Sequence, residues 1–147
     1  MKTSLLFILL CAVSVSRAER RTCGYIDSLE TGRTGVRATR KARLITPPGN
    51  MDVIFTSFGK SGYNQEIFHA FRKQNKPALA RINLNTAFGI TWCNKSYYIP
   101  VDFGKVDWSL IRTLKPGQHI RIHLAYLTGN INRTSQRIVF IDKVDAL

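Results

Sequence analysis

The sequence predicts a β-rich α+β domain, a small single-domain barrel or sandwich with one main helix near residues 64–75. Three observations carry this. Short segments alternate apolar and polar residues with the period of 2 that half-buried strands show. Turn-forming residues interrupt those segments at short intervals. One stretch alone carries an amphipathic helical stripe. Five or more short strands and one helix in about 129 residues suit a compact β architecture. One helix after the early strands and a hairpin at the end is an element order that suits an OB-like barrel.

The first 18 residues stand apart from the rest. Lys2 gives a positive start, Leu5 to Val15 form an apolar run, and Ser16-Arg17-Ala18 ends in a small residue. This is the pattern of a secretory signal peptide with cleavage after Ala18. Its apolar run falls short of the roughly 18 residues that a membrane span needs, and no later stretch approaches that length. The expected organisation is a signal peptide over 1–18 and one secreted β-rich domain over 19–147.

Residues 19–33 are polar and turn-rich, which predicts an extended lead-in pinned by Cys23. Residues 34–45 alternate: Val36, Ala38, Ala42 and Leu44 point one way, and Arg37, Thr39, Lys41 and Arg43 the other. That predicts a half-buried strand with a cationic outer face, ended by Thr46-Pro47-Pro48-Gly49-Asn50. Met51 to Phe58 reads as a second strand, with Met51, Val53 and Phe55 on one face and Ile54 on the other. The helix follows over about Asn64 to Gln74. Tyr63, Ile67, Phe68 and Phe71 make its apolar stripe, and Arg72, Lys73 and Lys76 sit at or beyond its C-terminal end, where the macrodipole favours cations.

Leu79 to Leu84, Phe88 to Trp92 and Tyr97 to Val101 read as three short strands, with Asn83, Asn85 and Gly89 supplying turns between them. Asp107 is placed to cap a short helical turn through Leu114. Lys115-Pro116-Gly117-Gln118 fits a type II turn, with Pro and Gly at the two central positions. Two strands close the chain, His119 to Leu127 and Arg137 to Val144, joined by the polar loop Thr128 to Gln136.

Charge is the strongest functional signal. Lys and Arg number 22 against 9 Asp and Glu. Lys2 and Arg17 belong to the signal peptide, which leaves 20 against 9, a net charge of +11. Solubility asks for a net charge of only ~2–8, so this excess points to anionic partners. The candidate contacts are Arg37, Lys41 and Arg43 on the first strand, Arg72, Lys73 and Lys76 at the helix end, and Arg121 between two histidines on a late strand. Neighbouring strands would join them into one cationic stripe. Such a stripe grips phosphate or sulfate without reading sequence, so nucleic acid would bind only non-specifically.

Of three cysteines, Cys11 falls in the signal peptide, leaving Cys23 and Cys93. Two thiols in an exported protein have one intramolecular pairing, with a bridge to a second chain as the alternative. No Cys-x-x-Cys occurs, and neither a metal nor a cofactor is expected. Asn94-Lys95-Ser96 and Asn132-Arg133-Thr134 are N-glycosylation sequons, with Asn132 in the more open setting.

Motifs for catalysis are missing. No phosphate-cradling glycine loop, dinucleotide fingerprint, H-E-x-x-H or G-x-S-x-G is present. His119 and His123 share one face of a predicted strand, but four residues of strand span about 13 Å, too far for a direct acid–base pair or one metal. Phe55, Phe58, Phe68, Phe71, Phe88, Trp92 and Phe140 follow strand or helix periods and are expected in the core. Tyr97 and Tyr98 are adjacent, so one must face outward, where a ring beside Lys95 is suited to stack on a base or a sugar. The reading that follows is a secreted, basic, non-enzymatic protein that binds acidic glycans or acidic matrix proteins, as a component of an extracellular or biomineral organic matrix. A secreted effector or inhibitor that docks on a protein partner is the second reading, and a secreted nuclease built on the histidines the third.

Overall fold

The computed structural model describes residues 23–31, 42–74 and 82–147. The signal-peptide segment, the first part of the 34–45 strand with Arg37 and Lys41, and Lys76 lie outside the described residues.

In chain order the elements are α1 (Tyr25–Thr31), β1 (Arg43–Ile45), β2 (Met51–Gly59), α2 (Gln65–Gln74), β3 (Ile82–Trp92), β4 (Lys95–Asp102), α3 (Trp108–Thr113), β5 (His119–Ile131) and β6 (Thr134–Ala146). Strands β2, β3, β4, β6 and β5 pair in that order, and β5 returns to β2, which closes a five-stranded barrel. All pairings are antiparallel except β4 with β6. This is the barrel alternative of the small β-rich domain expected from the sequence, with β1 added along β5.

The length of β5 makes closure possible. Its first residues, His119 to Ile122, pair with β2, and Tyr126 to Thr128, further along, pair with β1, while β6 follows it throughout. Ile120, Ile122, Leu124 and Tyr126 alternate into the barrel with Val53, Phe55, Phe88, Ile90, Ile99 and Val101. Residues of the opposite parity serve a second core. Ala125 and Leu127 of β5 and Ile138 and Phe140 of β6 face outward under α2, where Phe68 and Phe71 cover them. Both faces of the β5–β6 ribbon are therefore dry at this end, and the alternation there disappears from the burial pattern.

Several elements depart from the sequence expectation. The lead-in is a helix, α1, because Ile26 and Leu29, three residues apart, both insert into the barrel core. Ala42 packs on the second core and Arg43 is exposed, as expected, but Leu44 is 37% exposed and Ile45 packs on the barrel core instead, so the alternation fails within β1. Residues 82–84 and 88–92 belong to one continuous strand, β3, over Ile82–Trp92, and residues 79–81 lie outside the described residues. Asn83 does not turn the chain; its side chain accepts from the Asn85 backbone N–H at 2.8 Å within the strand. The expected loop 128–136 is mostly strand. The turn is two residues, Asn132-Arg133, with φ of 51° and 64°. Positive φ at both central residues is the type I′ geometry that matches strand twist, and it recurs at Cys93-Asn94 with φ of 49° and 60°. Phe58 is 47% exposed rather than buried, its ring standing edge-on to Phe55 and Phe88 at the end of β2.

Other expectations match. Strand β2 and helix α2 fall where the periodicity put them. Asp107 caps α3 by accepting from the Ser109 backbone N–H at 2.8 Å. Gln118 N–H donates to the Lys115 carbonyl, with Gly117 at φ 86°, as the type II turn requires. Cys23 and Cys93 form the disulfide.

Candidate functional site

The barrel has a weak seam. A single register pair, Val101 with Ile141, joins β4 to β6, so the two strands leave an opening that α1 fills. Ile26 and Leu29 plug it with apolar side chains. Asp27 ties α1 to β4 by accepting from Lys95 Nζ at 2.7 Å and Tyr97 Oη at 3.2 Å. The Leu29 carbonyl ties it to β6 by accepting from the Arg137 guanidinium at 3.3 Å. The disulfide anchors the start of α1 to the β3–β4 turn.

Tyr63, just before α2, completes the closure. Its hydroxyl accepts from the Val139 backbone N–H at 2.9 Å, a donor that β4 leaves unpaired, and donates to Glu30 Oε1 at 2.9 Å. Burial, reinforced by the Glu30 charge, pushes the Tyr63 pKa above its ordinary value, so the hydroxyl stays protonated in this role. Partial desolvation also raises the Glu30 pKa, against the hydrogen bond from Tyr63 that lowers it.

Beside this closure lies an open pocket of about 390 Å³. Glu30, Tyr63, Tyr98, Ser135, Gln136 and Arg137 contribute to its lining. Arg137 is 6% exposed, with its guanidinium 4.8 Å above the Tyr126 ring. Tyr98 is the outward member of the adjacent tyrosine pair, 47% exposed, with Tyr97 half-buried. Its ring lies across β2 at Gly59, where a Cβ would come within 2.5 Å of the ring. Glycine at 59 is what lets the ring lie down there. The Tyr98 and Ser57 hydroxyls are 3.4 Å apart.

The expected cationic residues divide into two groups. At one end of the molecule, the Gln74 side chain accepts from the Ala42 backbone N–H at 2.9 Å and donates to the Asn130 carbonyl at 3.4 Å. These bonds draw the end of α2, with Arg72 and Lys73, to the start of β1, with Arg43, and to the β5–β6 turn. Arg133, at that turn, joins them and was not among the candidates. All four are exposed, and none pairs with a carboxylate among the described residues. Arg121 stands apart. Seven residues separate it along β5 from Thr128, the partner of Arg43, a span of roughly 23 Å. Its guanidinium grips Asp52 through two bonds of 2.7 and 3.0 Å, and that contact holds the Asp52 carboxyl below the usual carboxylate range.

The histidines go different ways. His119 is exposed near the start of β5. His123 Nδ1 lies 2.7 Å from Asp142 Oδ1, and the other Asp142 oxygen is 3.7 Å from Lys105 Nζ. Asp142 reaches His123 because it is the extra residue of a bulge in β6, between partners of His123 and Leu124. His69 is exposed on α2. Both sequon asparagines, Asn94 and Asn132, are exposed at the two type I′ turns.

Sequence reasoning marked one of the pair Tyr97 and Tyr98 as outward-facing without choosing between them, gave Tyr63 only a packing role, and missed Glu30, Gln136 and Arg137. They come from distant segments and share no motif; only closure of the seam assembles them. No family model, no curated protein and no solved structure matches this chain.

Proposed function

We propose that this protein is a secreted, non-enzymatic binder of extracellular polyanions, acting on acidic glycans or acidic matrix proteins within an extracellular or biomineral organic matrix. The observation that carries the reading is the group formed by Arg43, Arg72, Lys73 and Arg133. Four exposed cations, none paired with a carboxylate among the described residues, share one end of the molecule, whose net charge after residue 18 is +11. Arginine presents a fork to sulfate or carboxylate oxygens and lysine a point charge, so the group suits oxyanions spaced along a polymer. The signal-peptide pattern and the disulfide both suit an oxidising extracellular setting. Arg121 contributes less in this reading, because Asp52 already occupies its fork.

Chromatography on immobilised heparin tests it. The disulfide-bonded protein is expected to elute well above about 0.15 M NaCl. Arg72→Ala with Lys73→Ala shifts elution to lower salt and flattens the dependence of affinity on salt, lowering the logarithmic slope by about 1 for each cation removed from the polymer. Arg121→Ala leaves elution close to that of the unaltered protein. Flow-through at about 0.15 M NaCl, or equal shifts from both variants, would overturn the assignment.

A further inference from the structure

We propose that the pocket beside α1 binds a single pyranose ring of a neutral glycan, with Tyr98 as the stacking platform and Glu30 and Gln136 as the hydroxyl-reading groups. This proposal does not depend on the reading given for the cationic end, which adjoins the pocket through the β5–β6 turn.

Exclusion of other ligand classes leads there. A free sulfate or phosphate would meet the Glu30 carboxylate on the pocket wall. A small cation would find one carboxylate, Glu30, on the wall, and the described residues hold no cluster of three or more metal-ligating side chains. A lipophilic ligand would have to strip water from Glu30, Ser135, Gln136 and Arg137 without replacing their hydrogen bonds. A base within a nucleic-acid strand would stack on Tyr98 but bring its own phosphates toward Glu30. What remains is an uncharged ligand that both donates and accepts and that carries one apolar face. A pyranose has these properties: its hydroxyls donate to a carboxylate and accept from amide N–H groups, while its C–H face rests on an aromatic ring.

The geometry suits this use. The Tyr98 ring is held open to solvent by its seat across Gly59 rather than folded into the core. Glu30 is oriented by the Tyr63 hydroxyl, which engages one of its oxygens, and no side chain among the described residues bonds the second. Arg137 is fixed in place by the Leu29 carbonyl and the Tyr126 ring, so that side of the pocket is rigid before any ligand arrives. A volume of about 390 Å³ lies near the lower end of the range for small-molecule pockets, which suits one ring better than a chain of them.

Titration of isotope-labelled, disulfide-bonded protein by NMR tests the site. The probes are the methyl glycosides of glucose, mannose, galactose and N-acetylglucosamine, with uridine monophosphate and sodium sulfate as competing chemistries. At least one glycoside is expected to bind with a dissociation constant on the order of 1 mM and to shift the amides of Gly62, Tyr98 and Gln136. Tyr98→Phe keeps the ring and retains binding. Tyr98→Ala and Glu30→Gln each weaken it by about tenfold or more, with unchanged backbone spectra away from the pocket. Arg72→Ala with Lys73→Ala leaves glycoside binding intact while reducing heparin retention, which separates the two sites. The proposal falls if no glycoside shifts those amides at about 50 mM. It falls equally if Tyr98→Ala binds as well as the unaltered protein, or if uridine monophosphate or sulfate binds more tightly than every glycoside.

Discussion

Glu30 sits where structural and electrostatic demands conflict. Its carboxyl accepts the Tyr63 hydroxyl that closes the seam, yet partial desolvation raises its pKa above the ordinary 4.5. A carboxyl whose folded pKa is raised binds its proton more tightly in the folded protein than in the unfolded chain. Its contribution to stability is therefore full below the ordinary value and is lost as pH rises through the raised one. Glu30→Gln keeps an acceptor for Tyr63 and removes the titration. Melting temperatures measured across pH 4 to pH 7 are expected to fall for the unaltered protein relative to Glu30→Gln as pH rises; parallel curves would show that Glu30 is solvated like a free carboxylate. At this scale the sequence was legible wherever a residue acts on its near neighbours. Asp107 as a cap, Gly117 in its turn and the outward turn of one tyrosine at 97–98 all depend on the few residues around them. Leu44 and Phe58 were misplaced because their exposure depends on where a strand ends and what lies beyond it.

Among elements, α1 shows most clearly what local pattern cannot reveal. Seven residues with two apolar contacts make a weak helix on their own, since isolated helices this short are marginal in water. Docking supplies the rest: Ile26 and Leu29 fill the seam, Asp27 binds β4, and the disulfide holds the N-terminal end. The bridge closes a loop with a sequence separation of 70, for which chain entropy alone corresponds to roughly 4 kcal/mol. Cys23→Ser with Cys93→Ser is expected to lower the unfolding free energy by about that amount or less, and to speed hydrogen exchange first at Val139 and around Tyr63. A loss confined to the global midpoint, with seam protection unchanged, would show that α1 docks without its tether. The closing hairpin teaches a related lesson. Its polar residues predicted a loop, but Thr128 and Gly129 are buried in a ribbon whose turn, Asn132-Arg133, reaches type I′ geometry without a glycine. Polarity signals a turn only while exposure is assumed.

The whole molecule is governed by its charge. A net +11 after residue 18 repels itself, and among the described residues the carboxylates Asp27, Asp52, Asp142 and Asp145 are already engaged by Lys95, Arg121, Lys105, His123 and Lys143. Screening should therefore stabilise the folded protein: raising NaCl from about 20 mM to about 300 mM is expected to raise the melting temperature, measured by calorimetry. A fall over that range would mean that the ion pairs outweigh the repulsion. In the reading we propose, the same excess would make the cationic end a docking surface for polyanions, and the pocket beside α1, with Glu30, Ser135 and Gln136 in its lining, would take an uncharged ligand.

By itself the sequence determined the fold class, the main helix α2, the parity of β2 and of the first half of β5, and the excess of positive charge. Each depends on composition or on a period of a few residues, and those are written along the chain. Tertiary structure alone decided that β4 and β6 meet at one pair, that α1 fills the opening, that Arg43, Arg72, Lys73 and Arg133 share an end while Arg121 is claimed by Asp52, and that Glu30, Tyr98 and Arg137 surround one pocket. Barrel closure sets these distances between segments far apart in the chain, and no local pattern encodes a distance that closure alone creates.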